Sequence, residues 1–246
     1  SYTLSANVEN LVLEGSANNF AVGNAGANTL VGNAGNNTLN GRGGNDRMFG
    51  GAGDDTYVVD SAGDVIGEVA GNGIDTILSA VSRVTDAEVE RLTLIGNGNI
   101  NGVGNGLANV IIGNGGANTI LGGAGNDTIK GAGGLDTLTG GLGSDSFVFS
   151  SVSESGPGNL QRDRITDFKQ TENDRIILSS IDANTGIGGD QAFVLDNNGS
   201  FSAGEIRQTQ FGSNLLLEMN TDADAAAEMS ILLLNSGLLD AGDFVL

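Results

Sequence analysis

No cysteine and no histidine occur among the 246 residues. Their absence removes disulfides, thiolate metal sites, the commonest zinc ligand and the usual general base. Tryptophan is missing too, tyrosine occurs only as Tyr2 and Tyr57, and the nine phenylalanines are scattered, so an aromatic band for stacking on sugar rings finds little material. Cations are scarce: 10 Lys and Arg stand against 30 Asp and Glu, a formal net charge of −20. That excess argues against nucleic acid and against anionic membrane surfaces, and in a compact state it repels itself unless cations bind. No apolar run reaches the length of a membrane-spanning helix, the longest candidate being Ile231 to Leu234, so membrane insertion is not expected. Hard, oxygen-seeking cations remain as the natural partners.

Glycine, by contrast, supplies 42 residues, and it is phased. From Gly122 to Val148 the chain reads GGAGNDTIK, GAGGLDTLT, GGLGSDSFV, with Gly first and fourth, Asp sixth and a large apolar residue eighth in each block of nine. Similar blocks run from Gly23 to Val58, with Leu30, Leu39, Met48 and Tyr57 eighth, and from Gly104 to Leu121, with Ile111 and Ile120 eighth. A three-residue strand whose middle side chain points inward, followed by six residues that turn the chain back, satisfies this pattern. A helix would lose about 1 kcal/mol at each interior glycine. One such strand buries almost nothing, whereas stacked coils bury a continuous ladder of Leu and Ile.

A longer period lies over the short one. Val8 and Val89, Leu11 and Leu92, Asn28 and Asn109, and Asp46 and Asp127 all share an offset of 81 residues, nine blocks of nine. Between Val59 and Val103 the blocks loosen, with Asp64 and Ile66, then Asp75 and Ile77, still in phase locally. After Phe149 glycine thins and longer apolar stretches appear, such as Leu215 to Met219. These shifts suggest a first repeat module over 1–81, a second over 82–149, and a β-rich C-terminal cap over 150–246. The chain begins at Ser1 inside a repeat, as a piece of a longer protein would.

The nonad resembles the calcium-binding repeat of RTX proteins. Beyond it, GSDSFVFSSVSESGPGN, DRITDFKQTENDRIILSSIDANT and the closing Asp243, Phe244, Val245 and Leu246 resemble the C-terminal domain shared by serralysin-type metalloproteases and other RTX exoproteins. The resemblance implies an all-β fold, a parallel β-roll with a β-rich cap, that folds around several Ca2+ ions. It also implies a secreted, extracellular or cell-surface location and export by a type I secretion apparatus reading an uncleaved C-terminal signal. The residues it marks for calcium are Asp46, Asp55, Asp64, Asp75, Asp127, Asp136 and Asp145, with Gly41, Gly43, Gly50, Gly122, Gly131 and Gly140 supplying turns and carbonyls. With two nonads to a coil, Asp127 faces Asp145, Asp46 faces Asp64 and Asp55 faces Asp75.

Asn28, Asn37, Asn109 and Asn118 hold the sixth position elsewhere and suit either weak ligation or a plain turn. Two further acidic groups, Asp163 with Asp167 and Asp174, and Asn220 with Asp222, Asp224 and Glu228, suit an ion or an acidic surface equally. Nine blocks being an odd number, equivalent loops of the two copies fall on opposite edges unless the irregular stretch resets the register. The family's H-E-x-x-H zinc motif cannot occur without histidine, so no enzyme activity is expected of this chain. A calcium-folding secretion module of a larger exoprotein is the first expectation. The alternative is an adhesive or glycan-binding module, with extracellular polysaccharide as partner, attached to a polysaccharide-acting enzyme or protease lying outside this chain.

Overall fold

A computed structural model describes residues 1–246 and contains no α-helix, only short strands and three 3-10 turns. The strands follow the nonad phase. Thr29–Val31, Thr38–Asn40 and Thr128–Lys130 each bury the middle residue and leave its neighbours half-buried. Within the nonad blocks each strand pairs in parallel with the next but one, as in Leu30 with Met48 and Leu39 with Tyr57. Two nonads therefore complete one coil of a parallel β-roll.

Strands alternate between two faces. One face is a single eleven-stranded sheet running from Tyr2–Thr3 to Phe244–Val245. Its inward row, which includes Leu39, Tyr57, Ile77, Leu92, Ile111, Ile129, Phe147 and Ile176, is fully buried. Each such side chain contributes about 1.5–3 kcal/mol by leaving water. Between Tyr57 and Ile111 the coils are irregular, with Tyr57 over Ile77, Ile77 over Leu92 and Leu92 over Ile111. An overlong coil is followed by a short one, and the three together equal three regular coils. The register is thus kept, and the 81-residue copies are related by a half turn. Thr29–Val31 belongs to the four-stranded sheet of the second face, while its equivalent Val110–Ile112 lies in the eleven-stranded sheet.

The second face is interrupted. Its four-stranded sheet ends at Val65–Gly67, and a nine-stranded sheet begins at Arg83–Val84. At the break the inward position belongs to buried Arg83, whose guanidinium donates to the Asp64 carbonyl at 2.8 Å and pairs with Asp86. A side chain thus makes the bond that a strand N–H makes elsewhere, as Val65 does to the Asp46 carbonyl.

Past Phe149, strands Asp163–Ile165, Arg175–Ile177 and Phe244–Val245 continue the roll. The antiparallel strands Glu205–Phe211, Asn214–Met219 and Met229–Leu233 extend the second face. Their buried Ile206, Leu215, Leu217, Met229 and Ile231 join the same hydrophobic core as the nonad residues. The open end of the last coil is covered in this way, as a repeat array requires.

Candidate metal centre

Each coil has two turns, and the sixth residue of every nonad ends one of them. On the edge entering the eleven-stranded sheet, the Asn37 N–H donates to Asp55 Oδ1 at 2.6 Å, Asp55 N–H to Asp75 at 2.8 Å, and Asp75 N–H to Glu90 at 2.8 Å. Further along, Asn109 N–H donates to Asp127, Asp127 N–H to Asp145 and Asp145 N–H to Asp174. The other edge carries Asn28 to Asp46 to Asp64, then Asn118 to Asp136 to Asp163. Each carboxylate therefore uses one oxygen to receive the N–H of the turn one coil before it.

The second oxygen distinguishes the turns. Oδ2 of Asp46, Asp55, Asp127, Asp136, Asp145 and Asp163 is buried with no hydrogen-bond partner. In the five nonads among these, it is aimed at the bare face of the loop's first glycine. A Cβ added to Gly41, Gly50, Gly122, Gly131 or Gly140 would stand 2.0–2.4 Å from that oxygen. At Gly122 the same Cβ would lie 2.4 Å from the Gly140 carbonyl oxygen of the next coil. At Gly122 a carboxylate oxygen and a backbone carbonyl thus converge where a side chain would intrude, a donor set of hard oxygens suited to calcium. Gly43 differs, since its Cβ would meet open space; the turn requires Gly44 instead, at φ +122°, where a Cβ would stand 2.7 Å from the Gly26 carbonyl oxygen.

Bringing these carboxylates together without a cation is unfavourable. Burial, and then neighbouring carboxylates, outweigh the stabilising N–H bonds and push Asp127 and Asp55 up to about 6, Asp136 up to about 7 and Asp163 up to about 8. Asp46, Asp75, Asp145 and Asp174 are raised for the same leading reason. Asp163 and Asp174 are the next rungs above Asp136 and Asp145, while Asp167 accepts the Gly140 and Gly141 N–H groups at 2.9 Å. Glu154 lies close enough to help raise Asp136 but pairs with Lys130 at 3.0 Å, and the rung above Asp136 is Asp163.

The Asn turns are built differently. Asn28, Asn37, Asn109 and Asn118 each accept the N–H of the second loop residue, Asn24, Asn33, Asn105 or Asn114. That second residue accepts the N–H of the fourth and sends its amide to carbonyls of the turn below, as Asn105 does to Asp86 and Val89 at 2.9 and 2.8 Å. None of these eight side chains leaves a buried polar atom without a partner. The signal is present in the sequence, since Asn stands second in every nonad that has Asn sixth and in no other.

Asp222, Asp224 and Glu228 also gather, but Asp222 and Asp224 cap local N–H groups at 2.9 and 2.7 Å and Glu228 accepts the Thr221 N–H at 2.6 Å. These bonds close an acidic turn.

Substituting Gly122 with Ala is expected to remove the site between loops 122–127 and 140–145, lowering the calorimetric calcium count by at least one. Gly106→Ala, whose Cβ would meet nothing within 4 Å, is expected to leave the count unchanged.

A family model described as RTX calcium-binding nonapeptide repeat (4 copies) matches residues 22–57. Another, described as peptidase M10 serralysin C terminal, matches residues 71–246. No curated protein matches the chain. Among solved structures it is similar to the AlgE6R3 subunit of the Azotobacter vinelandii mannuronan C5-epimerase, at 26% identity over 62% of this chain and 81% of that one, with a TM-score of 0.44. It is also similar to the extracellular lipase LipA from Serratia marcescens, at 16% identity and a TM-score of 0.30, over 95% of this chain and 40% of the lipase.

Proposed function

The chain belongs to the serralysin C-terminal family and carries RTX calcium-binding repeats, and from that premise we propose that it is the calcium-driven folding and export module of a larger secreted protein. The observation that carries the reading is the set of six buried Asp oxygens without partners. A buried acceptor left unsatisfied costs about 1–3 kcal/mol, more when charged, so calcium binding and folding are one equilibrium. The carboxylates supply charge, the glycines supply room and carbonyls, and the Ile and Leu ladder makes the coils cooperative. No catalysis is assigned to the module.

Export fits the same equilibrium. Asp243 to Leu246 resemble the end of a type I secretion signal, and within them Phe244 and Val245 pair as a last strand against Ile176 and Ile177, with Phe244 buried. A signal held in a sheet is free for a secretion apparatus only while the chain is unfolded. Low calcium before export and high calcium after it would supply that order.

The test is a calcium titration of metal-free protein followed by circular dichroism and calorimetry. β structure is expected to appear cooperatively, with a midpoint of about 10⁻⁴–10⁻³ M, the range of extracellular calcium modules. Magnesium, which demands near-ideal octahedral geometry, is expected not to substitute. The calorimetric count should fall short of the number of nonads because the four Asn turns take no ion. An equal response to magnesium, or a tight site for every nonad, would refute the respective claim.

A further inference from the structure

The irregular coil between Gly67 and Thr76 brings in a carboxylate that the nonad pattern does not contain. Glu68 approaches Asp55 and Asp75 so that one carboxylate oxygen from each lies within 4.8 Å of the others. Asp55 and Asp75 are buried, at 1% and 2% exposure. Asp55 Oδ1 is occupied by the Asn37 N–H, whereas Oδ2 is buried and has no partner. That free oxygen and the Tyr57 hydroxyl lie 2.1 and 2.3 Å from the point where a Gly50 Cβ would stand, and the same hydroxyl donates to Glu68. The unsatisfied atom thus faces the side of the loop on which Glu68 sits. Tyr57 fixes that side, held by the Gly50 N–H at 2.7 Å.

We propose that Asp55, Glu68 and Asp75 form a three-carboxylate site for a hard cation such as calcium, completed by Glu68 at the coil where the roll changes pitch. The proposal rests on the calcium reading above and adds a ligand that the repeat does not supply. Three carboxylates give this site one negative charge more than an Asp pair, and Glu90, which accepts the Asp75 N–H at 2.8 Å, adds a further charge close by. The site therefore prefers ions of higher charge and binds them ahead of the Asp127 and Asp145 pair. Its position also means that one ion ties three segments together: the turn before Thr56–Val59, the irregular loop, and the turn before Thr76–Ser79.

Terbium, a trivalent calcium surrogate, reads the site directly. The protein has no Trp and only two Tyr, and Tyr57 is fully buried beside the carboxylates while Tyr2 is exposed. Excitation of tyrosine is expected to give terbium luminescence that saturates first at this site. Tyr57→Phe should abolish it and Tyr2→Phe should not change it. Glu68→Gln is expected to weaken the sensitised terbium site at least tenfold, while calcium still induces β structure. Glu68→Asp, which keeps the charge and withdraws the oxygens, serves if the amide impairs folding, and should weaken the site severalfold. Terbium affinity unchanged in both Glu68 variants would overturn the proposal. Failure of the unaltered chain to gain β structure with calcium would instead overturn the folding reading on which it rests.

Discussion

Acidifying the calcium-free protein from pH 8 to about pH 5 is expected to restore β structure that calcium removal has abolished. Asp55, Asp127, Asp136 and Asp163 have folded-state values of about 6, 6, 7 and 8, all above the ordinary 3.8. A carboxyl whose value is raised by folding favours the folded state when protonated. Its contribution is complete below the unfolded value near 3.8 and is lost as pH rises through the folded value. Summed over both edges, the metal-free roll gains stability as pH falls across the window from about 8 to about 4. Protons, like calcium, neutralise the columns, and the chain's −20 charge shrinks in step. With calcium bound the slope reverses, because protons then compete with the ion and the calcium midpoint climbs as pH falls. Protein stripped of metal by dialysis, followed by circular dichroism across this range, checks both signs. A β signal that is flat or declines on acidification without metal would show that buried carboxylate repulsion is not what unfolds the roll.

Removing residues 150–246 is expected to raise the calcium needed for folding at least tenfold, or to prevent folding outright. The ladder of N–H to carboxylate bonds has a direction. Each turn is completed by the coil that follows it, so the last nonads depend wholly on the cap. Asp145 N–H is received by Asp174, Asp136 N–H by Asp163, and Asp163 N–H by the Ser155 hydroxyl. Phe147 and Phe149 would lose the cover of Phe168, Ile176 and Leu178, which share their core. Removal of residues 1–22 is the matched control. It takes away only turns that precede Asn-type loops, and a shift of less than threefold is expected. Comparable midpoints for the full chain and residues 1–149 would mean that the array seals itself.

The nonad phase was readable because it encodes sterics directly. Each eighth residue from Leu30 to Phe147 in the regular blocks is a buried strand centre, and each Asp sixth in a block is a rung. The half-turn relation was legible only as a conditional, because it depends on the overlong and short coils cancelling. Loop lengths, not residue types, decide that. Glu68 and Glu90 were invisible for a related reason: they enter from segments with no period, so nothing in the spacing announces them. The self-satisfied Asn turns did leave a trace, in the joint presence of Asn at the second and sixth positions. Reading it needed the directions of the amides. In the cap, alternation indicated strands, but antiparallel pairing of Ile206 with Met219 and Leu217 with Ile231 is set by tertiary packing.

The break opposite the eleven-stranded sheet gives the roll the mechanics of a notched rod. One side is an unbroken spine of backbone hydrogen bonds from end to end. On the other side, tension across the junction between Val65–Gly67 and Arg83–Val84 is carried by one guanidinium rather than by a strand ladder. Bending that opens the notch therefore meets far less resistance than bending that stretches the spine.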